Sequence, residues 1–413
     1  MRPRRPVGAR WAAGPSSVAG NRWTTARGGD DPAAVRVTSS PGDDPAFLAE
    51  GFDAWHAALE EGRCHDLPTA APWPREEARA ELAHPVPWEP LVALTAVEDG
   101  AVVGAARVDL PQRDNRDLVY TEIAVPAPHR RRGTAAALLR AVCDLAGSLG
   151  RPRLLTEVAV PLDADVATWP GTAFAARAGF SLGVADVRRE LPLPADEARL
   201  AALRAGALPR SAGYRWEVVR GVPAAEDAVA VAELASRMIT EAPQDDLVLE
   251  AEDVDAERVL QDHRRAEALG RATWLALARA ADGATAGYSV LARSEHEPDV
   301  LHQWNTLVLP EHRGHRLGLL LKLDCLAAAL ADGRGQGWAS GLRSLRTYNA
   351  ASNGPMIAVN EEMGFRPVEL LHEMQAEVAA VRSALDARLG PGGTAPAGDE
   401  PAAAAQVVGS DAP

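Results

Sequence analysis

One strand–loop–helix pattern occurs twice in this chain, 183 residues apart, and nothing else limits its fold so strongly. In the later copy, Trp304-Asn-Thr-Leu-Val-Leu reads as a strand and the chain turns at Pro310. It then passes through Arg313-Gly314-His315-Arg316-Leu317-Gly318 and continues as an apolar helix to about Ala331. In the earlier copy, Val119 to Val125 is the strand, Pro126 to Gly133 the turn, and Thr134 to Leu149 an Ala/Leu-rich helix. His129-Arg130 falls on His312-Arg313 without a gap, and Val125 on Val308. A strand that feeds a short loop into a helix leaves the first-turn N–H groups free and aims the positive end of the helix dipole forward. That is a cradle for an anion, and pyrophosphate is a usual occupant. Its repetition predicts two copies of one domain.

The length of 413 residues suits two domains, since one core commonly serves about 100–200 residues. Hydrophobic residues make up 47% and charged residues 24%, a globular balance. No run of about 18 apolar residues is present to span a bilayer. A net charge of −14 disfavours a nucleic-acid partner, which would need basic surface, and favours attraction of amines. Cys64, Cys143 and Cys325 are odd in number and widely separated, with neither disulfide nor metal-ligand spacing. No metal is therefore expected, and the location expected is the reducing cytoplasm. A single lysine, Lys322, stands among many arginines, which reads as coding bias with no bearing on mechanism.

The periodicity predicts a disordered leader over 1–33, a first domain over 34–193, a helical linker over 194–213, a second domain over 214–385 and a disordered tail over 386–413. In the first domain, Leu91–Val97 and Ala101–Leu110 flank Glu98-Asp99-Gly100 as a hairpin, and Phe180–Leu191 supplies the closing strands. Thr273–Ala280 and Thr285–Arg293 repeat the hairpin in the second.

Both copies resemble the GNAT superfamily of N-acetyltransferases, whose acetyl-coenzyme A signature is Arg/Gln-x-x-Gly-x-Gly/Ala between the fourth strand and the following helix. The first copy matches as Arg130-x-x-Gly133-x-Ala135; in the second, Arg313 and Gly318 match and Arg316 replaces the middle glycine. Each is followed by a Gly-Phe turn, Gly179-Phe180 and Gly364-Phe365. The resemblance implies an α/β (α+β) fold of two tandem GNAT domains, each a mixed, mostly antiparallel sheet flanked by helices. The two-domain architecture resembles mycothiol synthase, without carrying over that activity.

Carried onto this sequence, the resemblance implies that acetyl-CoA, as co-substrate, binds Val308, Arg313, Gly314, His315, Arg316, Leu317, Gly318 and Asn353 in the second copy. In the first it implies Arg130, Arg131, Arg132, Gly133, Thr134 and Ala135. Arg316, if left-handed, costs about 1–2 kcal/mol and can offset this by pairing with a phosphate. The family's base position, eleven residues before the signature arginine, holds His302 in the second copy and Val119 in the first. In the first copy Glu122 is the nearest carboxylate. Histidine suits proton abstraction near neutral pH. The family's tyrosine position holds Asn360 and Ala175, and the asparagine position holds Asn353 and Thr168. Tyr348 is a nearby phenol. These polar residues favour the second copy as catalytic, with His302, Asn360 and Tyr348 in the site. The acidic run Glu241–Glu257, eight carboxylates without a base, is expected to border the acceptor pocket and draw in a cation.

The resulting expectation is an N-acetyltransferase acting by direct transfer on a cationic primary amine of a small molecule or peptide, as monomer or homodimer, with no membrane or nucleic-acid partner. The alternative is a non-catalytic acyl-CoA sensor or scaffold.

Overall fold

The computed structural model describes residues 35–387; the leader expected over 1–33 lies outside them, as does the tail beyond Ala387. The first half runs β1 (Arg36–Pro41), α1 (Phe52–Cys64), α2 (Arg75–Ala83), β2 (Leu91–Glu98), β3 (Ala101–Asp109), β4 (Leu118–Ala124), α3 (Thr134–Ser148), β5 (Arg153–Pro161), α4 (Pro170–Arg177) and β6 (Ser181–Pro192). After α5 (Glu197–Ala207), the second half runs β7 (Tyr214–Arg220), α6 (Ala225–Ser236), α7 (Met238–Glu241), α8 (Ala256–Ala268), β8 (Arg271–Ala280), β9 (Thr285–Ser294) and β10 (Val300–Val308). It continues with α9 (Leu317–Gln336), β11 (Ser344–Ala350), α10 (Gly354–Met363), β12 (Arg366–Glu377) and α11 (Val378–Ala387). Asp386 and Ala387, expected in the tail, close α11.

The repeat holds in three dimensions, with one departure. All twelve strands among the described residues join one sheet, in the order β1-β2-β3-β4-β5-β12-β6-β11-β10-β9-β8-β7. The closing strands are exchanged. β6, expected to complete the first half, pairs with β11 of the second, Leu191 opposite Leu345, whereas β12 pairs with β5, Leu371 opposite Ala159. The side chains follow their strands. Met374, Ala376, Val378, Val381 and Leu385 lie in the first half's core with Leu138 and Val142 of α3, while Leu191 and Leu193 lie in the second half's core with α9. Strand hydrogen bonds join backbone to backbone, so an apolar-alternating strand fits either neighbour.

The segment expected as a linker is packed. Leu200, Leu203 and Ala207 of α5 lie on the α9 cluster, and Arg204 binds Asp324 at 2.7 Å. This explains why α9 is apolar on nearly every side: the sheet covers one face and α5 the other.

Each half also reaches across the other. The chain after α7 donates Asp246 N–H to Gly183 O at 3.0 Å and buries Leu247 against Val184, Leu118 and Leu155. In return, the chain before α2 places Trp73 against His302, with ring centres 6.5 Å apart, and α2 pairs Glu77 with Arg271. Much of the acidic run is consumed in this clasp. Arg113 binds Asp253 and Asp255, both at 3.0 Å, and Arg258 holds Glu252 and the first half's Asp114. The Glu250 carboxylate accepts from Asn115 N–H, and Glu241 takes Arg313 and Arg237. Those carboxylates face arginines, which corrects the expectation that the run as a whole attracts an amine. Among the described residues no helix is long and apolar enough to cross a membrane.

Candidate active site

The two loops follow one backbone path with glycine and arginine interchanged. Arg131 (φ 64°) and Gly133 (φ 90°) are left-handed in the first, and Gly314 (φ 84°) and Arg316 (φ 61°) occupy the same two places in the second. Each loop therefore carries one left-handed residue with a Cβ, at a cost of about 1–2 kcal/mol. A Cβ on Gly314 would meet nothing within 4 Å, so Gly314→Ala tests the backbone alone. It is expected to lower stability by about 1 kcal/mol in urea unfolding; an unchanged midpoint would mean that the loop is not left-handed in solution.

Neither α3 nor α9 has a side-chain cap, so the first-turn N–H groups at both loops suit an anion. The signature arginines brace the loops from behind. Arg130 donates to Val125 O at 2.9 Å and pairs with Asp66, and Arg313 donates to Val308 O at 3.1 Å and pairs with Glu241 at 2.9 Å. The Arg316 guanidinium is taken up by Glu362 in a two-point pair. In the same half His315 donates to Arg210 O at 3.0 Å. Leu317 is buried in the core, Ala135 packs against the first half's core, and Thr134 is buried, so these three can meet an anion only through their N–H groups. Arg132 lies 3.8 Å from Glu98. A Cβ on Gly318 would stand 3.7 Å from Val308, an ordinary contact.

Beyond the loops, each half has one parallel strand pair that runs in register for three residues and then splays. In the second half the register holds from Val300/Ser344 to His302/Arg346. β10 is also bulged against β9 between Gln303 and Thr306, so Trp304 and Asn305 have no register partner on either side. β4 has no such bulge and runs continuously against β3 from Tyr120 to Ala124.

The second splay encloses a cavity of about 210 Å³. Trp304, Asn305 and Thr306 line it from β10, Thr347, Tyr348 and Asn349 from β11, Asn353 and Met356 from around the start of α10, and Lys322 from α9. The exchanged strands close it with Asp186 of β6 and Glu373 of β12. Burial pushes Glu373 up to about 8, with help from the negative charges of Glu157 and Asp186. Burial also raises Asp186 to about 6.

Of the residues named from sequence, the cavity gathers Tyr348 and Asn353, the latter also capping α10 by accepting from Met356 N–H at 3.2 Å. Asn360 stands behind it, fully buried, and accepts a 2.5 Å hydrogen bond from Lys322 Nζ. His302 is not among the lining residues. Its Nε2 lies 2.9 Å from Glu297, which also holds Arg346 at 3.2 Å. In the first half, Glu122 is bound by Arg63 at 3.1 Å.

Sequence reading passed over Lys322, Asp186 and Glu373. Lys322 is 1% exposed, and burial pulls it down to about 7. A hydrogen-bonded chain leads from it through Asn360 to Asn349 (3.0 Å) and Arg189 (3.1 Å). In the first half Leu139 stands 183 residues before Lys322, and Ala175 stands four residues before Gly179 as Asn360 does before Gly364; both are buried and apolar. The signal available in the sequence was one cation in the apolar stretch Leu-Gly-Leu-Leu-Leu-Lys-Leu. Asp186 and Glu373 left none, because they reach the cavity only through the strand exchange.

The pattern of the Acetyltransferase (GNAT) family matches residues 55–180, in the first half. No curated protein sequence matches the chain. A solved tandem GNAT protein from the clavulanic acid biosynthesis pathway, without acetyl-CoA, is 27% identical over 83% of this chain and 98% of its own, with a TM-score of 0.63. A GCN5-related N-acetyltransferase from Sphaerobacter thermophilus shares the fold at 15% identity, over 83% of this chain and 96% of its own, with a TM-score of 0.53.

Proposed function

This chain is a tandem member of the GNAT superfamily and an acyltransferase, and from that premise we propose that its second half moves an acetyl group from acetyl-CoA directly to a cationic primary amine. The observation that carries this reading is the polar cavity in the splay of β10 and β11, beneath an uncapped helix. The choice of half rests on the bulge at Trp304–Asn305 and on the pair Lys322–Asn360, where the first half has Leu139 and Ala175. The family pattern lies in the first half, and that half is read as a scaffold or a second coenzyme site.

Acetyl-CoA supplies the activated acyl group. The protein's part begins at the loop, where the N–H groups from Gly314 to Gly318 suit a pyrophosphate. At the bulge, backbone N–H groups released from strand pairing can polarise a carbonyl oxygen. On the acceptor side, Asp186 and, once ionised, Glu373 stabilise an ammonium and relay its proton to solvent. His302 is assigned no direct role here, since Glu297 and Trp73 hold its ring outside the cavity lining.

Calorimetric titration with acetyl-CoA tests the choice of half. Gly318→Glu places a negative charge at the second loop, and Ala135→Glu does the same at the first. Binding abolished by Gly318→Glu and retained in Ala135→Glu is expected; the reverse would move the working site to the first half.

Acceptor binding has a signed pH dependence. A protonated Glu373 must lose its proton to pair with a cation, so the KM of a diamine acceptor is expected to fall as pH rises from about 6 to 8. Glu373→Gln is expected to raise that KM about tenfold and to flatten its pH profile, leaving acetyl-CoA affinity unchanged. A retained pH slope in the variant would remove Glu373 from acceptor binding.

A further inference from the structure

Lys322 is the single lysine among 413 residues and has almost no contact with solvent. It lies on α9 just after the loop, about 6 Å further along the helix axis than Gly318 at 1.5 Å per residue. Its Nζ donates to Asn360 Oδ1 at 2.5 Å, lies 3.8 Å from Met356 Sδ, and stands 5.3 Å from the centre of the Phe365 ring. Among the described residues, Lys322 forms no salt bridge with a carboxylate. A lone buried amine of this kind lowers stability, and a packing role would be filled better by leucine, as Leu139 fills it in the first half. What distinguishes the site is its position, at the wall of the cavity into which a thioester would extend.

We propose that Lys322 Nζ is the proton donor to the thiolate that leaves during acyl transfer in the second half. This rests on the proposed function of that half. The acceptor nitrogen bonds to the acyl carbon, the carbon–sulfur bond breaks with its electron pair going to sulfur, and sulfur takes a proton from the Lys322 ammonium. In becoming an amide, the acceptor ammonium loses two protons. One recharges Lys322 through solvent and the other is released, so the ledger closes at one proton per turnover. Asn360 is the positioning residue, its carbonyl oxygen holding Nζ while Asn349 accepts from its amide at 3.0 Å.

Burial brings the group to about 7, below the usual thiol value of about 8.5, so that transfer to sulfur runs downhill. The titratable side chains facing the cavity are Asp186, Glu373 and Tyr348, from three different strands. Asp324, two residues along α9, is turned away and held by Arg204 and the Trp216 Nε1–H. Arg189 approaches only through Asn349.

The single lysine makes the test direct. Protein labelled with ¹⁵N-lysine gives one side-chain signal without further assignment, and in the coenzyme-free protein it is expected to titrate near neutrality. Titration near the ordinary value of about 10.4 would overturn the proposal. For turnover, hydroxylamine serves as a small acceptor that is neutral at pH 7, and the thiol released from acetyl-CoA is measured in single-turnover reactions. Lys322→Met and Lys322→Arg are both expected to bind acetyl-CoA within about threefold of wild type and to release thiol at least about 100-fold more slowly. Arginine keeps the charge but holds its proton at neutral pH, so its failure to rescue separates proton donation from electrostatic attraction. Full activity in Lys322→Arg, or loss of coenzyme binding in Lys322→Met, would overturn the proposal. If acetyl-CoA fails to bind the second half of the wild-type protein, the function proposed for that half falls instead, and calorimetry with Gly318→Glu reports that outcome separately.

Discussion

Lys322→Met is expected to make the protein more stable, by about 2–4 kcal/mol at pH 7, and the gain is expected to shrink as pH rises. Burial lowers this amine from 10.5 to about 7, and each unit of such a shift is worth about 1.4 kcal/mol. Between pH 7 and 10.5 the unfolded lysine holds a proton that the folded one has lost. Wild-type stability therefore rises with pH across that window, by at most about 1.4 kcal/mol per unit, and below pH 7 the full penalty remains. Methionine fills similar volume without the charge, and the loss of the donor to Asn360 takes back about 1–2 kcal/mol. Urea unfolding of both proteins at pH 6, 7, 8 and 9 measures the effect. Parallel pH dependences would mean that Lys322 is not buried as an amine. The double variant Lys322→Leu, Asn360→Ala reproduces the pair found in the first half and leaves no amide stranded, so its gain is expected to be larger still.

The second large effect concerns the exchanged strands. Removal of residues 366–387, which form β12 and α11, is expected to unfold the first half as well as the second, although every one of those residues follows the second loop. Without them β5 loses its partner along nine register pairs, Glu369↔Pro161 to Glu377↔Arg153. The first core also loses Met374, Val381 and Leu385, at about 2–5 kcal/mol for each large apolar side chain. The milder variant Val381→Asp puts a charge at a fully buried position of the first core and is expected to destabilise by at least about 4 kcal/mol. Hydrogen exchange in β5 reads both changes, and the intact chain is expected to unfold in one cooperative transition. Two separate transitions, or a fragment 35–193 with native protection in β5, would show that the halves fold independently.

Much of this was legible along the chain. The loops, the strand before each and the helix after each lie close together in sequence, and their backbone demands are local: a left-handed turn, an apolar period, a free helix start. Even the strain at Arg316 was readable, because its place in the loop matches Gly133. Repetition of these units implied two domains, and their resemblance to the GNAT superfamily implied the fold class. By contrast, the expected attraction of an amine by the acidic run misread its surroundings. Arg113 and Arg258 bind Asp253, Asp255 and Glu252, and the first of these arginines is about 140 positions away in the chain.

The sequence by itself determined the two strand–loop–helix units and their repetition, because each depends on interactions among residues within a few turns of one another. Only the tertiary structure decided which half each closing strand completes, since a strand's hydrogen bonds come from backbone that is alike in every strand. That decision brings Asp186 and Glu373 to the cavity from opposite halves of the chain. It likewise decided what Lys322 is. A lysine at a helix position carries no mark of the direction it faces, and Met356 and Asn360 of α10 together with the Phe365 ring cover this one and remove it from water.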